Sequence, residues 1–261
     1  MKVSHEVPFC LLEQSKGFND YDYCLPHLLD ESEEYRNFFY ESKKQGRYII
    51  MDNSLHELGE AYAEERLLFW INELEPDEFI VPDVWEDMKK SFDNAYTWYF
   101  KELPKSVLKV AVVQAKSLAQ AAICTVNYQR IGYKKIAYSY GASYYNDICP
   151  HPNTDFGKAM GRFTVVNKLY QDKILTNNDR VHLLGTAWPA EFGLYKNIKC
   201  VETIDTSNPI MAAISELPYS HMGLNHKPKA NMNNYQDEKI DFIDTDLVNY
   251  NVDMFKVINE I

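Results

Sequence analysis

The stretch "KVAVVQAKSLAQAAICTVNYQRIGYKKIAYSYG" spans residues 109–141. It opens on an apolar run, 109–115, in which valine and alanine follow one another without polar alternation. Such a run reads as a strand covered on both faces, as in a parallel sheet. Residues 117–132 continue with a helical pattern and stop at Gly132, a helix terminator. A second apolar run, 135–141, then begins. Strand, helix and strand within about 30 residues make one right-handed crossover unit.

The unit recurs along the chain. Runs of the same character occupy 2–8, 47–53, 78–84, 181–187 and 200–206. Helical patterns fill 61–76 and 86–104, which stop at Pro76 and Pro104, and 154–175. Seven strands are legible, and an eighth is expected near 217–225 or 239–247. A (β/α)8 barrel takes about 250 residues, so 261 residues suffice. With no repeat, low-complexity tract or linker, the expected fold is α/β, a single (β/α)8 TIM-like barrel domain over 1–261 with an irregular or abbreviated eighth unit. A doubly wound open sheet is the competitor. It needs a glycine-rich loop after the first strand, and 4–12, "SHEVPFCLL", has none.

Composition narrows the function classes. No apolar run approaches the ~20 residues that span a bilayer, and 1–14 carries charges where a signal peptide needs an apolar stretch. Five cysteines without a CxxC pair read as reduced thiols, so a cytoplasmic location without membrane contact is expected. A net charge of −11 excludes a wholly basic surface but allows a local basic groove.

In a barrel, functional side chains stand at the C-terminal strand ends. Those ends carry His5 and Glu6, Asp52, Asp83, Gln114, Tyr138 and Ser139, Gly185 and Thr186, and Asp205. Singly, Asp52 and Asp205 read as helix N-caps and Asp83 as a turn residue. Together, three aspartates and a glutamine at one topological level predict a shared cavity. Two carboxylates facing one substrate suit glycosidic-bond chemistry, and a further carboxylate with a carboxamide suits a planar base.

The ordered set "IIMDNSLHELGE" (49–60), "FIVPDVWED" (79–87), "VVQA" (112–115), "HLLGTAWPAEF" (182–192) and "VETIDTSNP" (201–209) resembles the tRNA-guanine transglycosylase superfamily. It is most similar to the compact, phage-associated branch that inserts 7-deazaguanines, of the preQ0 type, into DNA. The resemblance covers about 47–209 and implies the same barrel fold. It implies a base-exchanging pentosyltransferase with Asp205 as nucleophile on the deoxyribose C1′ and Asp52 as general acid and base. Asp83 and Gln114 would read the edge of the base, and His56 and Leu184 would sandwich it. Tyr138, Ser139 and Gly185 would contact it near the family's glycine-rich loop, although the Gly-Gly pair is missing at 137–139. The family's zinc cluster has no counterpart, since no cysteine follows Cys200; no metal and no cofactor are expected. The expected partners are DNA and a 7-deazaguanine base, in a host cytoplasm if phage-encoded, with a homodimer or partner protein left open. The chain is also shorter than the tRNA enzymes, which favours DNA. Exchange on tRNA, or a catalytically silent barrel that binds a deazaguanine, are the alternatives.

Other readings stay open. Lys227 and Lys229 in 226–235, "HKPKANMNNY", read equally as a solvated loop or as phosphate contacts. Tyr138, Tyr140, Tyr144 and Tyr145 read as core, with base stacking as a second use. His5 reads as a buried histidine before a ligand, and Cys149 with His151 lacks the partners of a metal site.

Overall fold

Eight parallel strands form a nearly closed barrel with helices alternating around it: β1 (Lys2–His5), β2 (Asp22–Cys24), β3 (Ile49–Met51), β4 (Glu78–Ile80), β5 (Leu108–Val113), β6 (Lys135–Ser139), β7 (Arg180–Leu184) and β8 (Val201–Thr206). The computed structural model describes residues 1–226, 228 and 239–261. Each strand from β2 to β8 pairs with the next, and β8 returns to β1, with Ser4 opposite Asp205. The strands β2, β3, β4 and β6 are buried along their whole length, as continuous apolar runs require.

The seam between β1 and β2 is held differently. The Asp20 N–H donates to the Val3 carbonyl (2.9 Å), and the Val3 N–H donates to the Asp20 carboxylate (2.8 Å). Asn19 accepts from the His5 N–H (2.7 Å) and donates to its carbonyl (2.9 Å). A carboxylate and a carboxamide thus replace the missing strand neighbours of β1, satisfying buried backbone groups that would otherwise cost stability.

The strand absent from the sequence reading is β2. It lies at Asp22–Cys24, not near 217–225 or 239–247. Residues 217–225 carry an isolated bridge, Ser220 to Gly223, and 239–247 form a 3-10 turn (Ile240–Phe242) and the start of the helix Thr245–Asn259. Three residues headed by an aspartate make no apolar run. Arg47 explains why that aspartate can be buried, since it binds both Asp22 oxygens (2.7 and 2.8 Å).

Local signals set the helices that space the strands. Ser117 caps Leu118–Ile131 by accepting from the Gln120 N–H, and Gly132, at φ +118°, ends it. Asp87 and Asn153 cap Met88–Phe100 and Thr154–Gln171 in the same way. Among the described residues no helix is long and apolar enough to cross a membrane.

The N-terminal mouth of the barrel is closed by charge. Glu78 and Lys135, both fully buried, pair at 2.7 Å; Arg180 bridges Glu78 and Glu202 at 2.7 Å each, and the Tyr48 hydroxyl donates to Glu78 at 2.7 Å. Breaking a buried pair is costlier than never having built one, because one charge is left unpaired. Lys135→Met should therefore cost about 3 kcal/mol of unfolding free energy, read as a lower urea midpoint. A wild-type midpoint would contradict a structural role for this cluster.

Candidate active site

At the opposite mouth, the strand ends and the loops after them enclose a cavity of about 730 Å³, open end included. Five carboxyl groups line it: Glu6 after β1, Asp52 and Glu57 after β3, Asp83 after β4 and Asp205 on β8. Asp52, Asp83, Gln114 and Asp205, expected from sequence to meet, do so here. Among the described residues no lysine or arginine lines this cavity.

Asp205 is held by two donors. One carboxylate oxygen receives the His182 Nε2–H (2.9 Å) and the other the Gly185 N–H (3.1 Å). Burial, with Lys135 as a lesser cause, lowers the His182 pKa to about 3, so the imidazole is neutral. Its single N–H then points at Asp205, while Nδ1 accepts from the Thr203 hydroxyl (2.8 Å). Tyr23 stacks on the far side of the ring at 6.0 Å. These two donors orient the Asp205 carboxyl group at the cavity, the placement a nucleophile needs.

Gly185 is needed at its position twice over. Its φ is +58°, and a Cβ there would come within 2.6 Å of the Tyr140 ring. Behind it, the fully buried Arg162 donates to the carbonyls of Tyr138 (3.1 Å), Leu184 (2.8 Å) and Gly185 (2.7 Å), and pairs with Glu191. That guanidinium fixes the ends of β6 and β7, and hence the N–H that Asp205 uses.

Asp52 lives in a different environment. It accepts from the Ser54 N–H (3.1 Å) and is hydrogen-bonded by Tyr23. Enclosure by the cavity walls raises its pKa to about 7, with Asp205 and Glu6 adding repulsion. Glu57 is pushed well above the usual carboxylate range by burial first and by Asp52 and Glu6 next. Its Oε2 is buried without a hydrogen-bond partner among the described residues. A carboxyl with a pKa near neutrality beside one oriented by two donors is the arrangement that divides acid and nucleophile roles.

Asp83 faces the cavity between two amides. Asn53 donates to one oxygen (2.7 Å) and Gln114 to the other (2.6 Å), while the Gln114 oxygen accepts from the Glu86 N–H (2.9 Å). These bonds fix which way each carboxamide points. Burial raises the Asp83 pKa to about 6, and the two amides partly offset it. The cluster presents fixed donors and acceptors at one wall, as edge-on recognition of a planar base requires.

His56, Leu184, Ser139 and Gly185 also line the cavity, with the His56 and Tyr140 rings 6.1 Å apart. Tyr138 does not. Successive strand residues point to opposite faces, so Ser139 faces inward and Tyr138 outward, where its hydroxyl bonds Thr125 (2.7 Å). Tyr144 and Tyr145 are likewise buried, leaving Tyr140 as the tyrosine of that group at the cavity. His5 is buried between Phe18 and Phe255 while its neighbour Glu6 lines the site. Lys227 and Lys229 lie outside the described residues. Among the described residues no group of three or more His, Cys, Asp or Glu side chains is placed to hold a metal. His151 Nδ1 accepts from the Asn153 N–H (3.0 Å).

Sequence reading passed over Tyr23, Asn53, Glu57, Arg162 and His182. For His182 a signal existed: it lies two residues before Leu184, so it shares the inward face. Tyr23 sits on the strand that was not seen, and Arg162 offers no motif.

The raised carboxyl groups have a consequence for stability. Between the ordinary carboxylate pKa, about 4, and the raised folded values, the native state holds more protons than the unfolded chain. The contribution of Asp52 to stability therefore falls as pH rises from ~4 towards 7. Asp52→Asn should stabilise the fold near pH 8 by about 1 kcal/mol, a rise of ~2–4 °C in melting temperature, and leave it unchanged near pH 4. Equal melting curves at the higher pH would contradict the raised pKa.

Neither the protein-family models nor the curated proteins compared with this chain contain a match to it.

Proposed function

We propose that this protein is a base-exchange glycosyltransferase that replaces guanine in DNA with a 7-deazaguanine through a covalent aspartyl-glycosyl intermediate. The observation that carries the reading is the pairing of Asp205, restrained by two donors, with Asp52, whose pKa is about 7, across one cavity.

The steps balance without a cofactor. An Asp205 oxygen attacks the deoxyribose C1′ as the C1′–N9 bond breaks. The electron pair of that bond leaves on guanine together with the Asp52 proton. The incoming base then gives its N9 proton to Asp52, attacks C1′ and releases Asp205, so two displacements retain the sugar configuration. Asp83 and Gln114 hold either base by its edge, with His56 and Leu184 on the walls.

The preference for DNA over tRNA rests on the resemblance in 47–209 and on the lack of any cysteine after Cys200 for the tRNA branch's zinc cluster.

Labelled guanine offered with DNA or with tRNA tests the reading. Wild-type protein should incorporate label into DNA, and Asp205→Ala should lose both incorporation and a denaturation-stable protein–DNA adduct. Incorporation into tRNA alone would move the assignment to the tRNA branch. Saturable deazaguanine binding without exchange, unchanged in Asp205→Asn, would make the protein a binding barrel instead.

A further inference from the structure

Beside the cavity lies an open groove of about 770 Å³. Leu55, His56, Trp85 and Tyr140 line both spaces, while Gly141 and Lys158 line the groove alone. Trp85 is 42% exposed, and its indole packs across Gly141 where any Cβ would collide with it. The next residue, Glu86, is fastened twice: its N–H donates to Gln114 (2.9 Å), and its carboxylate accepts from the Ser143 N–H (2.6 Å). Trp85 is thus a large aromatic face held in place and left open at the rim of a base-sized cavity.

Charge decides what that face is for. The cavity is lined by five carboxyl groups and repels phosphates. Lys158, in the helix Thr154–Gln171, lines the groove and makes no ion pair among the described residues. The nearby Glu86 carboxylate is already engaged by Ser143. A strand whose base enters the cavity must carry its phosphates past the rim, and among the described residues this groove offers a cation, Lys158. An aromatic face with a neighbouring ammonium is the pairing by which single strands are bound, through stacking and phosphate contact.

From this we infer that the groove is a binding site for the nucleotide adjoining the exchanged one on a single DNA strand, with its base stacked on Trp85 and its phosphate met by Lys158. The inference rests on the base-exchange reading and adds the path of the strand.

The test measures affinity of the full chain for a guanine-containing single-stranded DNA oligonucleotide and, separately, for free guanine. Trp85→Ala should lower the ratio of oligonucleotide to guanine affinity about 10- to 100-fold, the worth of one stacked base, and Trp85→Phe should restore most of it. Lys158→Ala should reduce the slope of log affinity against log salt by roughly one. Unchanged ratios and slopes in both alanine variants, with guanine still bound, overturn this site and leave base exchange standing. Tighter binding of an RNA of the same sequence overturns the choice of a DNA strand. A wild-type chain that binds neither guanine nor oligonucleotide overturns the function and this site together.

Discussion

Five carboxyl groups around one cavity cannot all be ionised, and most of what the site can do follows from that constraint. Like charges in a space removed from water raise one another's pKa, and the group with the best donors keeps its charge. Asp205 has the His182 and Gly185 N–H groups. Asp83 has two carboxamides. Asp52 has a tyrosine and a backbone N–H, and Glu57 has a buried oxygen with no hydrogen-bond partner among the described residues. Unequal donor sets give one crowded cluster groups of different proton affinity, with Asp52 near 7 and Asp83 near 6.

The barrel makes this crowding possible. Parallel strands bring residues that are distant in sequence to one level, and each end can be given its own chemistry. At the N-terminal mouth, Glu78 and Glu202 meet Lys135 and Arg180, so acid is matched by base. At the C-terminal mouth, among the described residues, no lysine or arginine lining the cavity matches the acids. Arg162 comes close, but its donors are spent on three carbonyls and Glu191 behind Gly185. It shapes the wall without neutralising the cavity.

Seven of the eight strands were legible because continuous Val, Ile and Leu runs have one common explanation, burial on both faces. Asp22–Cys24 was not, because a strand that short, headed by a charged residue, carries no period. Its burial depends on Arg47, 25 residues away. The strand-end rule located Asp52, Asp83, Gln114 and Asp205, since topology alone places them. It misplaced Tyr138, where the two-residue alternation of a strand outweighs nearness to its end. Glu57 was passed over because a glutamate four residues beyond Asn53 reads as an exposed helical acid; only the folded cavity reveals its burial. Most of the donors that set the carboxyl groups apart, such as Gly185 for Asp205 and Gln114 for Asp83, are tertiary contacts without a local pattern; His182, on the same strand face as Leu184, is the exception.

The raised pKa of Asp52 can be observed directly. Carbon-13 NMR of side-chain carboxyl groups, titrated with Asp52→Asn to assign the signal, measures it in the intact protein. Asp52 should titrate near 7. An Asp52 that titrates with ordinary surface carboxylates would contradict the account.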